Sequence, residues 1–272
     1  MLLYGTSSWS ERTWVGAFYP PGTKPGEMLT QYATRFSTVE ADNTYYAIPS
    51  RKLVAGWEAK TPMGFVMSAK FPRSVVHAGT GEKPDATKLF DASETAKFLD
   101  VMSLLGPKCG PLVMQFPYFN QSAFRSLGEF LARLEPYLET LPKTFRYGVE
   151  VRNKAWLTPE LTDSLRRHRV ALVLLDLLYM PHPCDVELDL VTTDFSYVRL
   201  IGDRKATETA GGGKFDRIVV DRTERLKLWA EYLSNLGDKL PIYTYANNHY
   251  AGFGPDTARQ LERLVEGLKL DR

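Results

Sequence analysis

Short runs of alternating apolar and polar residues recur along the chain, separated by longer segments whose apolar positions return every three or four residues. The clearest run is Arg146-Tyr147-Gly148-Val149-Glu150-Val151-Arg152-Asn153. Read as a strand, it turns Val149 and Val151 to one side and Glu150 and Arg152 to the other. Gly148 and the β-branched valines disfavour a helix there, and Thr158-Pro159 beyond it reads as a new helix start. The same reading predicts strands at 2–6, 37–43, 64–71, 111–116, 170–176, 197–201 and 241–247. Helices are expected at 25–36, 51–60, 92–105, 122–138 and 222–236, with others opening at Thr158-Pro159 and at Gly254-Pro255-Asp256.

Eight apolar strands with helices between nearly all of them argue for a parallel sheet closed as a single (β/α)8 TIM-like barrel over residues 1–272. The segment 179–194 holds Pro181 and Pro183 and no helical period, so the sixth crossover reads as degenerate. Long βα loops are expected at 72–84, which carries His77, and after strand seven, where Gly211-Gly212-Gly213-Lys214 reads as a tether, a lid or, less readily, a phosphate cradle. A doubly wound open sheet is the alternative. It calls for a glycine-rich dinucleotide loop after strand one, and Gly5-Thr6-Ser7-Ser8-Trp9 lacks that spacing.

The chain has 272 residues, and a barrel of this type uses about 250. A formal charge of +2 gives no bulk argument for nucleic acid. Cys109 and Cys184 have no metal-ligand spacing and fit a reducing compartment. No basic leader or apolar core opens the sequence, and the longest apolar run, 170–178, is interrupted by Asp176, so a cytoplasmic protein without a membrane span is expected.

In such barrels the active site lies at the carboxyl ends of the strands. Polar residues fall there on every strand: Thr6 or Ser7, Glu40 with Asp42, Lys70, Gln115, Glu150 with Arg152, Asp176, Arg199 and Asn247. Strand ends are near solvent and polar in any case, but the regularity of the set favours a site. Glu40 and Glu150 are the candidate general acid and base, with Lys70 and His249 as further catalytic candidates. Asp42, Tyr45, Gln115, Arg152, Arg199, Tyr245, Asn247 and Asn248 are candidate substrate-binding residues. Lys70, Arg152 and Arg199 together form a positive focus suited to carboxylate or phosphate, unless Glu40, Asp42, Glu150 and Asp176 neutralise them. The four histidines are too dispersed for a zinc cluster, and His168 and His182 read as structural. The cofactor is unknown from the sequence, and a divalent metal held by Glu40, Asp42, Glu150 or Asp176 is left open without being indicated.

Several stretches together have a familiar form: Gly5-Thr6-Ser7-Ser8-Trp9-Ser10 with Trp14-Gly16 and Phe18-Tyr19-Pro20, Val39-Glu40-Ala41-Asp42-Asn43-Thr44-Tyr45-Tyr46 with Pro49, Ser68-Ala69-Lys70 with His77, and Gln115-Phe116-Pro117. With them go Val149-Glu150-Val151-Arg152 and Trp156, Tyr197-Val198-Arg199, and Asn247-Asn248-His249-Tyr250 with Gly252. By these the chain resembles the YecE-like family of unknown function called DUF72, over nearly its whole length. The resemblance implies a TIM-like barrel and supplies no established reaction. Ser8 stands where glycine is expected, and Ala246 where an aromatic residue is usual, which would relax a pocket floor near Asn247.

Three functions follow as expectations. The first is an enzyme using acid/base chemistry on a small polar anionic metabolite, such as a sugar phosphate or hydroxy acid, as a lyase, isomerase or hydrolase. The second is a nucleic-acid-binding or phosphodiesterase barrel resembling an abasic-site endonuclease, using Arg73, Lys205, Lys214 and Arg217, although Glu82, Asp85, Asp203 and Glu208 dilute them. The third is a non-catalytic ligand-binding barrel. The oligomeric state is not legible in the sequence.

Overall fold

The computed structural model describes residues 1–270 apart from 80, 82 and 238, so Glu82 lies outside the described residues. The strands form where β-branched and aromatic residues alternate with small or polar ones: β1 (Leu2–Thr6), β2 (Thr38–Ala41), β3 (Val66–Lys70), β4 (Cys109–Gln115), β5 (Tyr147–Glu150), β6 (Ala171–Leu177), β7 (Ser196–Gly202) and β8 (Ile242–Ala246). All pair in parallel in the order β1-β8-β7-β6-β5-β4-β3-β2, and a Ser7–Glu40 bridge joins the two end strands. This is the expected barrel.

The β1–β2 seam is held by fewer backbone bonds than the others. Gly5 brings the chains together, since a Cβ there would lie 2.3 Å from the Thr38 carbonyl oxygen. The buried Tyr32 hydroxyl spans the gap, accepting from the Thr6 N–H at 2.9 Å and donating to the Thr38 carbonyl at 3.0 Å. At the upper end Ser8 N–H donates to the Glu40 carbonyl at 2.8 Å.

Helices cover the outside: α1 (Met28–Ala33), α2 (Arg51–Ala59), α3 (Arg73–Val76), α4 (Ala92–Met102), α5 (Leu127–Thr140), α6 (Pro159–His168), α7 (Arg204–Gly211), α8 (Thr223–Gly237), α9 (Asn248–Ala251) and α10 (Gly254–Leu270). Ser50, Asp91, Ser126 and Asp203 each cap a helix start with a side-chain oxygen. The sixth crossover is degenerate as expected, with only a 3₁₀ turn at Pro183–Asp185. Two loops contain helices the sequence reading lacked: α3 within 72–84, and α7 after β7. Gly211 ends α7 and Gly212 caps it at φ 58°, so the glycine run stops a helix and presents its carbonyl end. Neither a tether nor a phosphate cradle fits that role.

Inside the barrel Tyr197, Tyr243 and Tyr245 pack with Val113, Val173 and Leu175. The Tyr245 hydroxyl lies 2.7 Å from Thr38 Oγ1 and 2.9 Å from Ser68 Oγ. Thr38 and Ser68 sit two residues before Glu40 and Lys70, so this tyrosine layer is the floor of whatever lies above. Among the described residues no helix is long and apolar enough to cross a membrane.

Candidate active site at the carboxyl ends of the strands

Arg199, on the inward face of β7, is the hub. It is 2% exposed. Its Nη2 donates to Glu40 Oε1 at 3.0 Å, its Nε lies 2.9 Å from Glu40 Oε2, and its Nη1 donates to Gln115 Oε1 at 2.8 Å and to Glu150 Oε2. The Tyr197 hydroxyl donates to Glu40 Oε2 at 2.7 Å, and Arg152 Nε donates to Glu150 Oε1 at 3.0 Å. Four strands thus deliver one ion network, because the inward positions of β2, β4, β5 and β7 and the residue beyond β5 share a level.

Burial alone would raise both glutamates. Arg199, Lys70 and the Tyr197 hydroxyl outweigh it for Glu40, which is held down at about 2, and Arg199, Arg152 and Lys70 likewise lower Glu150. Both are therefore fixed anions with no exposed surface, poor proton carriers rather than the acid and base expected. Arg199 is engaged by the same groups, Nε and Nη2 by Glu40 and Nη1 by Gln115 and Glu150.

Lys70, at the end of β3, is differently placed. Among the described residues its ammonium has one ionic partner, Glu40 Oε1 at 3.7 Å, beyond hydrogen-bond length. Burial and the nearby Arg199 push its pKa down, against the pull of Glu40, Asp42 and Glu150. Asp42, just past β2, is half-buried, and burial together with Glu40 raises its carboxyl against the pull of Lys70. Gln115 and Tyr45 are half-buried, and the Arg152 side chain is 25% exposed. Tyr45 feels the charges of Arg73, Arg152 and Glu150, which puts it on the same rim.

Other candidates do not join this cluster. Asp176 faces outward, accepting from Arg225 Nε at 3.1 Å, Trp229 Nε1 at 2.6 Å and the Tyr250 hydroxyl at 2.9 Å. It neighbours Leu175 and Leu177, which take the inward positions, so strand six contributes no charge. Tyr245 belongs to the floor and is fully buried. Asn247 caps α9, and Asn248 Oδ1 accepts from Trp14 Nε1 at 3.2 Å and Gly254 N–H at 3.0 Å, tying loops together. His249 meets Asn247 Oδ1 at 2.8 Å through Nδ1 and Glu208 Oε1 at 3.1 Å through Nε2, with its ring against Phe215. These partners lie outside the charge network, so His249 docks α7. His77 is buried within its loop, near Arg73 Nη2 and Gly79 N–H. His182 packs on Trp229 as a structural residue. No group of three or more His, Cys, Asp or Glu among the described residues is arranged to hold a metal ion. Arg199 takes the space between Glu40 and Glu150. Tyr197, which the sequence reading gave no role, anchors Glu40.

The model of the family described as a protein of unknown function, DUF72, matches residues 3–271. The chain belongs to the DUF72 family. Relatives include the UPF0759 protein YecE of Escherichia coli K12, 29% identical over 182 residues, a match spanning 65% of this chain and 59% of that protein. The UPF0759 protein YunF of Bacillus subtilis is 25% identical over 98% of this chain and 95% of its own. A crystal structure of a DUF72 family protein from Thermotoga maritima superposes with a TM-score of 0.72 at 27% identity, covering 98% of this chain and 99% of that one. The SacUVDE structure, at 9% identity and a TM-score of 0.57, shares the fold alone.

Both departures from the DUF72 pattern have a place in the structure. Ser8 has φ 83°, a conformation in which glycine is unstrained, which is why glycine is expected there. Ala246 is 1% exposed and points into the helix-facing core, since Tyr245 before it points inward. It is not on a pocket floor.

Proposed function

We propose that this DUF72 protein is an enzyme that binds a small polar anionic metabolite at the barrel mouth and moves protons between it and Asp42 and Lys70. The observation that carries this reading is the uneven pairing of charges. Among the described residues Arg199 is shared by Glu40 and Glu150, whereas Lys70 has only a distant partner and Arg152 commits only its Nε. Three cations face three carboxylates here, and a proton on Asp42 tips the balance to positive. An anion arriving at Lys70 and the free Arg152 nitrogens would itself favour that proton, so binding and proton loading reinforce each other. Gln115 and Tyr45 offer neutral hydrogen-bonding groups for hydroxyls. The phosphate or carboxylate of a sugar phosphate or hydroxy acid suits such a mouth.

The test is calorimetric binding and turnover with a panel of phosphorylated sugars and hydroxy acids. Arg152→Ala is expected to weaken binding at least tenfold, the loss of about 1.5–3 kcal/mol in a charge-assisted bond. Asp42→Asn is expected to retain binding and lose turnover by about 10²-fold or more. Unchanged turnover in Asp42→Asn would refute the assignment.

A further inference from the structure

Among the described residues the Lys70 ammonium, a member of the network, is left under-coordinated. The backbone at the end of β3 is pinned, with the Thr44 hydroxyl 3.0 Å from the Lys70 N–H and 2.8 Å from its carbonyl oxygen. The side chain is 10% exposed, and Glu40, its distant partner at 3.7 Å, is already engaged by Arg199 and Tyr197. A structural lysine in so dry a position ordinarily places its three N–H groups on acceptors, as Lys108 does on the carbonyls of Glu58 at 2.7 Å and Thr61 at 2.8 Å and on Glu58 Oε1 at 2.9 Å. Lys70 does not. Burial and Arg199 both favour its neutral form, which is the nucleophilic one.

We infer that Lys70 condenses with the carbonyl carbon of its substrate to form a protonated imine, which makes the substrate class an anionic aldehyde, ketone or 2-oxo acid. The inference rests on the proposed reading of the mouth as an anion site. The amine nitrogen bonds to the carbonyl carbon as the C=O π pair moves to oxygen, which takes a proton from Asp42. The resulting carbinolamine loses that oxygen as water after a second proton reaches it. Counted from the ammonium, two protons leave with the carbonyl oxygen, and one positive charge stays on nitrogen. The iminium therefore inherits the ammonium's place beside Glu40, so no new buried charge is created. It draws electrons from the adjacent carbon, which restricts the reaction to breaking or making a bond there, as a lyase or isomerase does.

The experiment is reductive trapping on the intact wild-type protein. Pyruvate, dihydroxyacetone phosphate and the neutral hydroxyacetone are each incubated with sodium cyanoborohydride, and adducts are located by peptide mass mapping. Lys70 is expected to be labelled by the two anions roughly tenfold or more faster than the exposed Lys52 and Lys154, as a desolvated amine should be. Arg152→Ala is expected to remove the advantage of the anions over hydroxyacetone. Comparable labelling across exposed lysines, or no adduct at Lys70 with any of the three, would overturn the inference. The two readings fail separately. Selective labelling of Lys70 by all three probes alike supports the imine and defeats the anion site, whereas thermal stabilisation by inorganic phosphate without any Lys70 adduct supports the anion site and defeats the imine.

Discussion

Arg199 lies between two carboxylates and is 2% exposed, so its main contribution is electrostatic support. Arg199→Met would leave Glu40 and Glu150 buried without their main counter-charge, and a loss of about 3–5 kcal/mol is expected by chemical denaturation. Glu40 adds a pH dependence with a definite sign. Its folded-state pKa, about 2, lies below the ordinary 4.5, so its stabilisation is complete above 4.5 and is lost as pH falls through 2. Acid titration of stability should therefore be flatter between about pH 4.5 and 2 in Glu40→Gln than in the parent. Ser8→Gly should relieve a left-handed serine and raise stability by about 1 kcal/mol, a shift of roughly 2–4 °C in a thermal melt. At this scale the sequence placed Glu40 and Arg199 at the carboxyl ends of β2 and β7. How deeply they sit was not legible, because depth depends on which residues of other strands meet them.

Among the elements, the β1–β2 seam and α7 carry the clearest expectations. Tyr32→Phe removes the hydroxyl that bridges the Thr6 N–H and the Thr38 carbonyl. A loss of about 1–3 kcal/mol is expected, with faster hydrogen exchange at Thr6 than at the β6–β7 ladder. The helix α7 is docked by Thr207 Oγ1 donating to the His249 carbonyl at 2.7 Å and by the His249–Glu208 contact. His249→Ala should speed exchange across 204–213 while leaving the denaturation midpoint close to the parent's, and equal protection in the two proteins would show that His249 does not hold the helix. The sequence concealed α7 because only Thr207 and Gly211 of its eight residues are buried, too few for an apolar period. Its Asp203 cap and glycine stop were present, but without an apolar period a polar helix and a polar loop look alike even with them.

For the molecule as a whole, the ion network is a feature of the site more than of stability. Replacing it together, by Glu40→Gln, Glu150→Gln and Arg199→Met, should cost far less than Arg199→Met alone, within about 1–2 kcal/mol of the parent, while raising the affinity for an anion, since Lys70 and Arg152 lose two opposing carboxylates. Denaturation and calorimetry on the same triple variant check both halves. The sequence by itself determined the number of strands, the parallel barrel, the degenerate sixth crossover and the place of Glu40, Lys70, Gln115, Glu150 and Arg199 at the carboxyl ends of their strands, because a period of two and the strand ends are local properties of the chain. Only the tertiary structure decided that Asp176 turns to the helices, that Asn248 and His249 hold loops, that Arg199 consumes both glutamates, and that Lys70 and Asp42 are left with incomplete pairing. Whether a charge is satisfied depends on which groups from distant strands meet it, and no local pattern records that.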